Sequence, residues 1–213
     1  MTGLTLDISM SLDGFVAGPN ITMEQPLGEG GELLHDWITR LASWRARHGQ
    51  EGGETGPAND LVERLVGSIG AYVMGRRMFS GGAGAWEDDP NADGWWGDEP
   101  PFRAPVFVLT HHGHDPIQLD GGTTFHFVTE GFDAAYSAAR QAAGDKGVDI
   151  AGGASTVRQA LIAGVIDELT LDIAPVLLGS GERIFDGVES FGFEPAEVLH
   201  SPLATHIRYR RVS

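Results

Sequence analysis

The chain has 213 residues, of which 41% are hydrophobic, and it carries a formal net charge of -16 at pH 7. A field of that sign repels polyanions, so neither nucleic acid nor an anionic membrane surface is an expected partner. The sequence contains no cysteine, which excludes disulfides, thiolate metal sites and a cysteine nucleophile.

The first predicted element is an alternating strand at Leu4–Ser11, which leads into the turn Ser11-Leu12-Asp13-Gly14. Asp13 has two interpretations. An aspartate before glycine commonly hydrogen-bonds its own turn backbone, and a carboxylate beside a reacting centre acts as a proton donor. The sequence leaves both open.

A second apolar pattern predicts one helix through residues 33–44. Its single apolar face is made by Leu33, Leu34, Trp37, Ile38, Leu41 and Trp44. The glycine-rich polar segment 49–57 predicts a flexible break, so we expect an inserted loop near residues 45–60.

A pair of arginines follows the next helix and strand. A helical apolar pattern that ends at Ile69 precedes a buried strand that closes at Gly75, and Arg76 and Arg77 would begin another helix. A cation at a helix N-terminus is disfavoured by about 0.3–1 kcal/mol unless an anion is bound. Arginine also grips phosphate oxygens with a planar fork. The pair therefore indicates a phosphate site, with two solvated surface arginines as the alternative.

A long inserted loop is expected at residues 81–103, where acids surround Trp86, Trp95, Trp96 and Phe102. Loops of this length are typically active-site lids or binding loops, and a subunit contact is a further interpretation. Residues 89–94 match the first half of a calcium loop, but Pro100 stands where the closing glutamate belongs. No metal is predicted there.

Histidines follow the next short strand, residues 105–110. His111, His112 and His114 come directly after Thr110. Two or three imidazoles on a loop without a further defined ligand are weak evidence for zinc, so no metal site is predicted here either.

A glycine pair interrupts the chain after the apolar strand 148–151. Paired glycines let backbone approach a ligand closely, and the first amides of a helix carry partial positive charge without intrahelical partners. The predicted phosphate cradle consists of Gly152, Gly153, Ala154, Ser155 and Thr156. The alternative is a tight turn between strand and helix.

The remaining pattern completes the fold class. Strands are predicted over residues 124–128, 167–173, 196–200 and 206–212, and Phe132, Ala135, Tyr136 and Ala139 mark one more helix. Strands that alternate with helices predict an α/β fold of three layers. We expect one domain over residues 1–213, with a mostly parallel central sheet, antiparallel C-terminal strands and helices on both faces.

The ordered string from Val148 to Phe185, which includes Ala174-Pro175-Val176-Leu177-Leu178-Gly179, resembles the dihydrofolate-reductase-like superfamily. It is most similar to the reductase domain of the bifunctional riboflavin-biosynthesis deaminase-reductase. The resemblance implies a cytoplasmic homodimer that uses NADPH to reduce a small nitrogen heterocycle, such as a pterin or a ribosylamino-pyrimidine. The sequence holds neither a His-x-Glu nor a Pro-Cys-x-x-Cys deaminase motif.

The resemblance also assigns roles to single residues. The cofactor is assigned to Val16 and Ala17 at the nicotinamide, Gly75, Arg76, Arg77 and the predicted phosphate cradle at the phosphates, and Thr110 and His111 at the 2′-phosphate. Asp13 and Asp36 are the candidate proton donors, and Trp37 is the candidate substrate contact.

Two other function classes stay open at this point. One is a nucleotide-binding protein that keeps the cofactor cradle without catalysis. The other is a metabolite-binding module that uses the tryptophan-rich acidic loop at residues 81–103.

Overall fold

A nine-stranded sheet is the centre of the computed structural model, which describes residues 3–189 and 192–212. The strands are β1 (Leu4–Ser11), β2 (Ile69–Gly75), β3 (Pro105–Leu109), β4 (Ile117–Gln118), β5 (Thr124–Val128), β6 (Gly147–Gly152), β7 (Ile166–Ala174), β8 (Phe193–Ser201) and β9 (Ala204–Arg211). Their order across the sheet is β4-β5-β3-β2-β6-β1-β7-β9-β8.

Most neighbouring strands run parallel. The six strands from β5 to β7 pair in parallel, whereas β4, β9 and β8 are antiparallel to their neighbours. The predicted fold class is therefore confirmed, and the antiparallel edge strand β4 is an addition that the sequence pattern did not indicate.

Helices occupy both sides of this sheet. They are α1 (Asp36–Thr39), α2 (Ala42–Arg47), α3 (Pro57–Gly67), α4 (Arg76–Ser80), α5 (Phe132–Ala143) and α6 (Ala154–Ile162), with 3₁₀ turns at Gly31–His35, Trp86–Asp88 and Asp120–Gly122. None of the helices in the described part of the chain is long and apolar enough to span a lipid bilayer.

The two faces of the sheet differ because side chains alternate along each strand. On one face, Leu4 and Leu6 of β1 pack with α5 and α6 in a continuous apolar core. On the opposite face, two separate apolar clusters form, one around Phe79 and one around Trp37. The polar side chains of β1 face the space between these clusters, and that space becomes a cleft.

The prediction of one helix over residues 33–44 is wrong. The segment folds as a 3₁₀ turn and two short helices, because Leu41 adopts an extended backbone with φ -70° and ψ 143°. The following loop supplies the competing hydrogen bonds: Glu54 N donates to Arg40 O, and Ala42 N donates to Glu54 O. The helix predicted up to Ile69 also ends earlier, at Gly67, and Ile69 begins β2.

One buried amide holds the short helices against α3. Asn59 is 5% exposed, and its Oδ1 accepts a hydrogen bond of 2.8 Å from the backbone amide of Ser43 in the first turn of α2. This bond satisfies one of the donors that a helix N-terminus leaves free. It therefore joins two helices that are separated by the loop near residues 45–60.

Replacing Asn59 with alanine leaves the Ser43 amide buried without an acceptor. We expect the free energy of unfolding to fall by about 1–3 kcal/mol, measured by chemical denaturation. Asn59→Asp keeps an acceptor oxygen and should lose less. Exposed Asp60 on the same helix provides the control Asp60→Ala. Equal denaturation midpoints for Asn59→Ala and the parent would contradict this role.

Candidate active site

The two predicted phosphate-binding segments meet at one edge of the sheet. β2 and β6 are parallel neighbours, and Met74 pairs with Gly152, so both strands end side by side. A Cβ atom placed on Gly75 would lie 2.8 Å from Thr156 Oγ1, and one placed on Gly153 would lie 4.0 Å from the Cα of Gly75. The ends of β2 and β6 therefore form one continuous backbone surface.

Backbone geometry requires glycine at this junction. Gly152 and Gly153 have φ values of +137° and +81°, which residues other than glycine rarely adopt. α6 begins at Ala154 directly after them, and its first amides have no intrahelical acceptor. A cradle of glycines at the N-terminus of a nine-residue helix fits a bound phosphate group.

This cradle forms one end of a cleft of about 940 Å³, which is at the upper end of the size range of small-molecule sites. The structure brings all the predicted cofactor-binding residues and Trp37 to its walls. They are Val16, Ala17, Trp37, Gly75, Arg76, Arg77, Thr110, His111 and the predicted phosphate cradle, residues 152–156. Neither Asp13 nor Asp36 lines the cleft.

The two neighbouring arginines have different environments. Arg76 is 6% exposed, and its Nη2 lies 2.5 Å from Asp89 Oδ2 while its guanidinium stacks at 3.6 Å on Trp86. Arg77 is exposed and forms no ion pair within residues 3–189 and 192–212. The carboxylate of Asp89 therefore already neutralises the charge of Arg76, although Arg76 Nε and Nη1 have no hydrogen-bond partner within the described residues. Arg77 is the arginine whose charge is available for a ligand.

Asp89 ties the inserted loop 81–103 to α4. Burial opposes its charge, but hydrogen bonds from Ser80 Oγ, the amide of Asn91 and Arg76 lower the pKa of its carboxyl group. All the donors that reach this carboxylate come from the protein. The first acid of the calcium-loop pattern is therefore used to anchor the loop.

Asp13 is a turn residue. Ser11 Oγ donates to its carboxylate at 2.6 Å, and the amides of Leu178 and Gly179 donate at 3.1 and 2.7 Å. The bond from Ser11, together with these amides, lowers the pKa of Asp13 to about 2. Asp13 joins the end of β1 to the segment after β7, and its role as a proton donor stays a prediction.

Asp36 is likewise displaced from the cleft. Successive residues on a helix point about 100° apart, so burial of Trp37 turns Asp36 outward, and Asp36 is exposed. Trp37 is 4% exposed, its Nε1 donates to Ser9 Oγ at 3.0 Å, and its ring meets the imidazole of His206 edge-on at 4.6 Å. Trp37 therefore lines the cleft and Asp36 does not, and the role of Asp36 as a proton donor stays a prediction.

The sequence interpretation missed three carboxyl groups on the floor of the cleft. Asp149, Asp7 and Asp172 lie on the adjacent strands β6, β1 and β7, and all line the cleft. Each stands between apolar residues in a central strand, for example Val148-Asp149-Ile150. A carboxyl group in a strand of a parallel sheet that is covered on both faces is the signal that could have found them.

The pKa values of all three floor carboxyl groups are raised. Burial, together with the charge of Asp7, raises the pKa of Asp149 to about 8. Burial also raises the pKa of Asp172 to about 7, and burial and the Asp172 charge raise that of Asp7 well above its usual value. His206 Nδ1 lies 2.6 Å from Asp172 Oδ1. Burial lowers the pKa of this imidazole, although the charge of Asp7 opposes the effect.

Aromatic side chains line the end of the cleft that lies away from the glycines. The segment 81–103 supplies Trp96 and Phe102, which pack in turn on Tyr72, and α2 with the residue after it supplies Trp44, Arg47 and His48. Trp95 also lines the cleft, but its Nε1 donates to Met78 O in α4, next to Gly152. Tyr72 lies between the aromatic end and the floor; it is 6% exposed, and its hydroxyl makes no hydrogen bond within the described residues.

The two metal-like patterns of the sequence have other roles in the structure. The ring of His114 packs against Trp86 at 4.7 Å and Phe127 at 4.9 Å, and Asp89 binds Arg76. Within residues 3–189 and 192–212, no group of three or more acids and histidines is arranged to hold a metal ion.

Solved structures with a similar fold include riboflavin-biosynthesis proteins. A putative riboflavin biosynthesis protein from Shewanella sp. PV-4 is 21% identical, with 100% of both chains covered and a TM-score of 0.62. The diaminohydroxyphosphoribosylaminopyrimidine deaminase/5-amino-6-(5-phosphoribosylamino)uracil reductase from Thermotoga maritima is 12% identical. That match covers 99% of this chain and 57% of the other, with a TM-score of 0.56.

The riboflavin biosynthesis reductase from Saccharomyces cerevisiae is also 12% identical, covering 100% of this chain and 89% of the other, with a TM-score of 0.53. At these identities the likenesses show the fold. No match was found among curated proteins.

The family model of the RibD C-terminal domain matches residues 2–203, which confirms the predicted resemblance. Because this match spans nearly all of the 213 residues, the chain belongs to the RibD C-terminal domain family.

Proposed function

We propose that the protein is an NADPH-dependent reductase that acts on a small nitrogen heterocycle. The observation that carries this proposal is the meeting of Gly75 with Gly152 and Gly153 at the N-terminus of α6, inside a cleft with a second, aromatic end. One end suits a dinucleotide and the other a flat ring. Membership of the RibD C-terminal domain family and the reductase names of two structural neighbours support a reductive reaction.

At the cofactor end, the first amides of α6 and the side chain of Arg77 would hold the diphosphate. Thr110 and His111, at the end of β3, would lie at the 2′-phosphate, and Val16 and Ala17 would border the nicotinamide. When bound, NADPH would supply a hydride to a carbon–nitrogen double bond or a ring-opened sugar carbon. The protein residues would align the reactants and exclude water.

At the substrate end, Arg47 is the available cation. It is partly buried, burial lowers the pKa of its guanidinium group, and it forms no hydrogen bond or ion pair within the described residues. His48 and Trp44 stack beside it with ring centroids 4.2 Å apart. This arrangement favours a ring that carries an anionic tail, such as the ribosylamino-pyrimidine phosphate of riboflavin synthesis. The homodimer and the cytoplasmic location remain predictions.

Arg77→Ala tests the cofactor end. We expect the Kd for NADPH, followed by cofactor and tryptophan fluorescence, to rise at least ten-fold. The reason is that a hydrogen bond to a charged group contributes about 1.5–3 kcal/mol. Arg40 is exposed and does not line the cleft, so Arg40→Ala should bind NADPH like the parent. Parent-like affinity in Arg77→Ala would contradict the assignment.

Gly75→Ala tests the cradle itself. Gly75 has an ordinary φ of -82°, so alanine adds no backbone strain, but its methyl group would press against the buried Thr156 Oγ1. Overpacking of this kind costs about 1–3 kcal/mol, and we expect weaker NADPH binding by about ten-fold. Gly67→Ala meets no atom within 4 Å and serves as the control. Unchanged affinity in Gly75→Ala would place the dinucleotide elsewhere.

Arg47→Ala tests the substrate end in steady-state kinetics with 5-amino-6-(5-phosphoribosylamino)uracil. Loss of a charge-assisted contact to phosphate should raise KM about ten-fold, with little effect on the dephosphorylated compound. Arg45 lies on the same helix, bonds to Glu51 O and does not line the cleft, so Arg45→Ala is the matched control. If Arg47→Ala changed KM equally for both compounds, Arg47 would not bind the phosphate.

A further inference from the structure

The proposed reduction needs a proton as well as a hydride, and neither carboxyl group predicted from the sequence lines the cleft. Asp13 is held by three hydrogen bonds away from the cleft, and Asp36 is exposed outside it. The floor of the cleft contains other acids. Their geometry decides which of them can donate.

Asp149 has one oxygen fixed and one oxygen free. Thr5 Oγ1 donates to Asp149 Oδ1 at 2.9 Å, and Thr5 also pairs with Asp149 across β1 and β6. Asp149 Oδ2 makes no hydrogen bond within the described residues, although the side chain is only 7% exposed and lines the cleft. A proton on this carboxyl group therefore belongs on Oδ2.

The other two floor acids are engaged with each other. Asp7 and Asp172 share a hydrogen bond, and His206 Nδ1 also contacts Asp172. A carboxylate only accepts hydrogen bonds, so one member of this pair must keep a proton to bond the other. Their proton is held between the two side chains. Asp7 Oδ1 also has no hydrogen-bond partner within the described residues, but it is shielded from solvent. Asp149 is 7% exposed and lines the cleft, so its free oxygen is the one that a ligand in the cleft can reach.

Asp149 also lies on the strand that leads to the cofactor cradle. It precedes Gly152 by three residues, which is about 10 Å along a strand. β1 and β6 pair only at Leu4↔Val148 and Thr5↔Asp149, so the cleft opens where Asp149 stands. Tyr72, nine-tenths buried and with its hydroxyl unbonded in the described part of the chain, lines the same region. The Tyr72 hydroxyl and Asp149 Oδ2 are therefore both free to hydrogen-bond a ligand in the cleft.

We infer that Asp149 donates the proton to the substrate during the reduction, with Thr5 as the residue that positions it; this inference rests on the proposed function. The carbon of the C=N bond takes up the hydride, with NADPH oxidised to NADP⁺, and the nitrogen takes the proton from Asp149 Oδ2. The O–H bond breaks, its electron pair stays on the carboxylate, and an N–H bond forms. Water then reprotonates Asp149 before the next turnover.

The surroundings of Asp149 set the pH range of this step. The titratable and charged side chains on the elements packed around Asp149 come from the sheet and from the helices that cover it. They are Asp7 of β1, Tyr72 of β2, Asp172 of β7, His206 of β9, His35 of the 3₁₀ turn Gly31–His35 and Arg47 of α2. The Asp7 charge raises the pKa of Asp149, and the Thr5 hydrogen bond lowers it. Thr5→Val should therefore raise this pKa, and Asp7→Asn should lower it.

Carboxyl titration of the cofactor-free protein, labelled with [4-¹³C]aspartate, gives the first test. We expect one carboxyl resonance with a midpoint of about 8 that is missing in Asp149→Asn. A midpoint near the ordinary value for aspartate overturns the inference, whether or not the protein binds NADPH. A parent protein that fails to bind NADPH would count against the proposed function alone.

Turnover gives the second test, with 5-amino-6-(5-phosphoribosylamino)uracil as the probe. We expect kcat of the parent to fall above pH of about 8. Asp149→Asn should bind NADPH like the parent but lose at least about 100-fold in kcat and lose the alkaline decline. The decline should move to higher pH in Thr5→Val and to lower pH in Asp7→Asn. Parent-like kcat and pH dependence in Asp149→Asn would overturn the inference.

Discussion

The parallel pairing of β2 with β6 is the constraint on which the site depends. Met74 lies opposite Gly152, so both strands end together and Gly75 meets Gly153. The same register orients Asp149 towards the cleft, because alternate residues of β6 face opposite sides of the sheet. A slip of one residue would turn Asp149 into the apolar layer under α5 and α6 and separate the glycines. The glycine cradle and the position of Asp149 on the cleft floor therefore both depend on the register between β2 and β6.

Segments outside the sheet form the walls of the cleft. The sheet supplies a polar floor, α2 supplies Trp44 and Arg47, and the loop at residues 81–103 supplies further aromatic side chains. The Arg76–Asp89 ion pair and its hydrogen bonds to Ser80 and Asn91 hold this loop against α4. Burying charges in this way is costly unless they are paired. All the bonds that hold the Asp89 carboxylate come from α4 and the loop itself, so they fix the loop to α4.

Local patterns in the sequence predicted the fold and the glycine segments that meet at one end of the cleft. Glycine pairs, strand ends and helix starts are short-range signals, and parallel pairing then brings Gly75 and Gly152 together. The sequence failed where tertiary contacts decide. The helical stripe breaks at Leu41 because Glu54 hydrogen-bonds the backbone of Arg40 and Ala42 on either side of it. The role of Asp149 depends on the cleft that covers its face of the sheet, which no local pattern reveals. The three hydrogen bonds to Asp13 likewise come partly from residues distant in the sequence.

We propose that the backbone at the ends of β2 and β6 binds one pyridine dinucleotide, and a crystal structure of the protein grown with saturating NADP⁺ would show it. We expect diphosphate oxygens about 3 Å from the first amides of α6, the adenosine end towards Thr110 and the nicotinamide against Val16 and Ala17, above Asp149. A dinucleotide bound on another surface, with the glycine cradle empty, would contradict it.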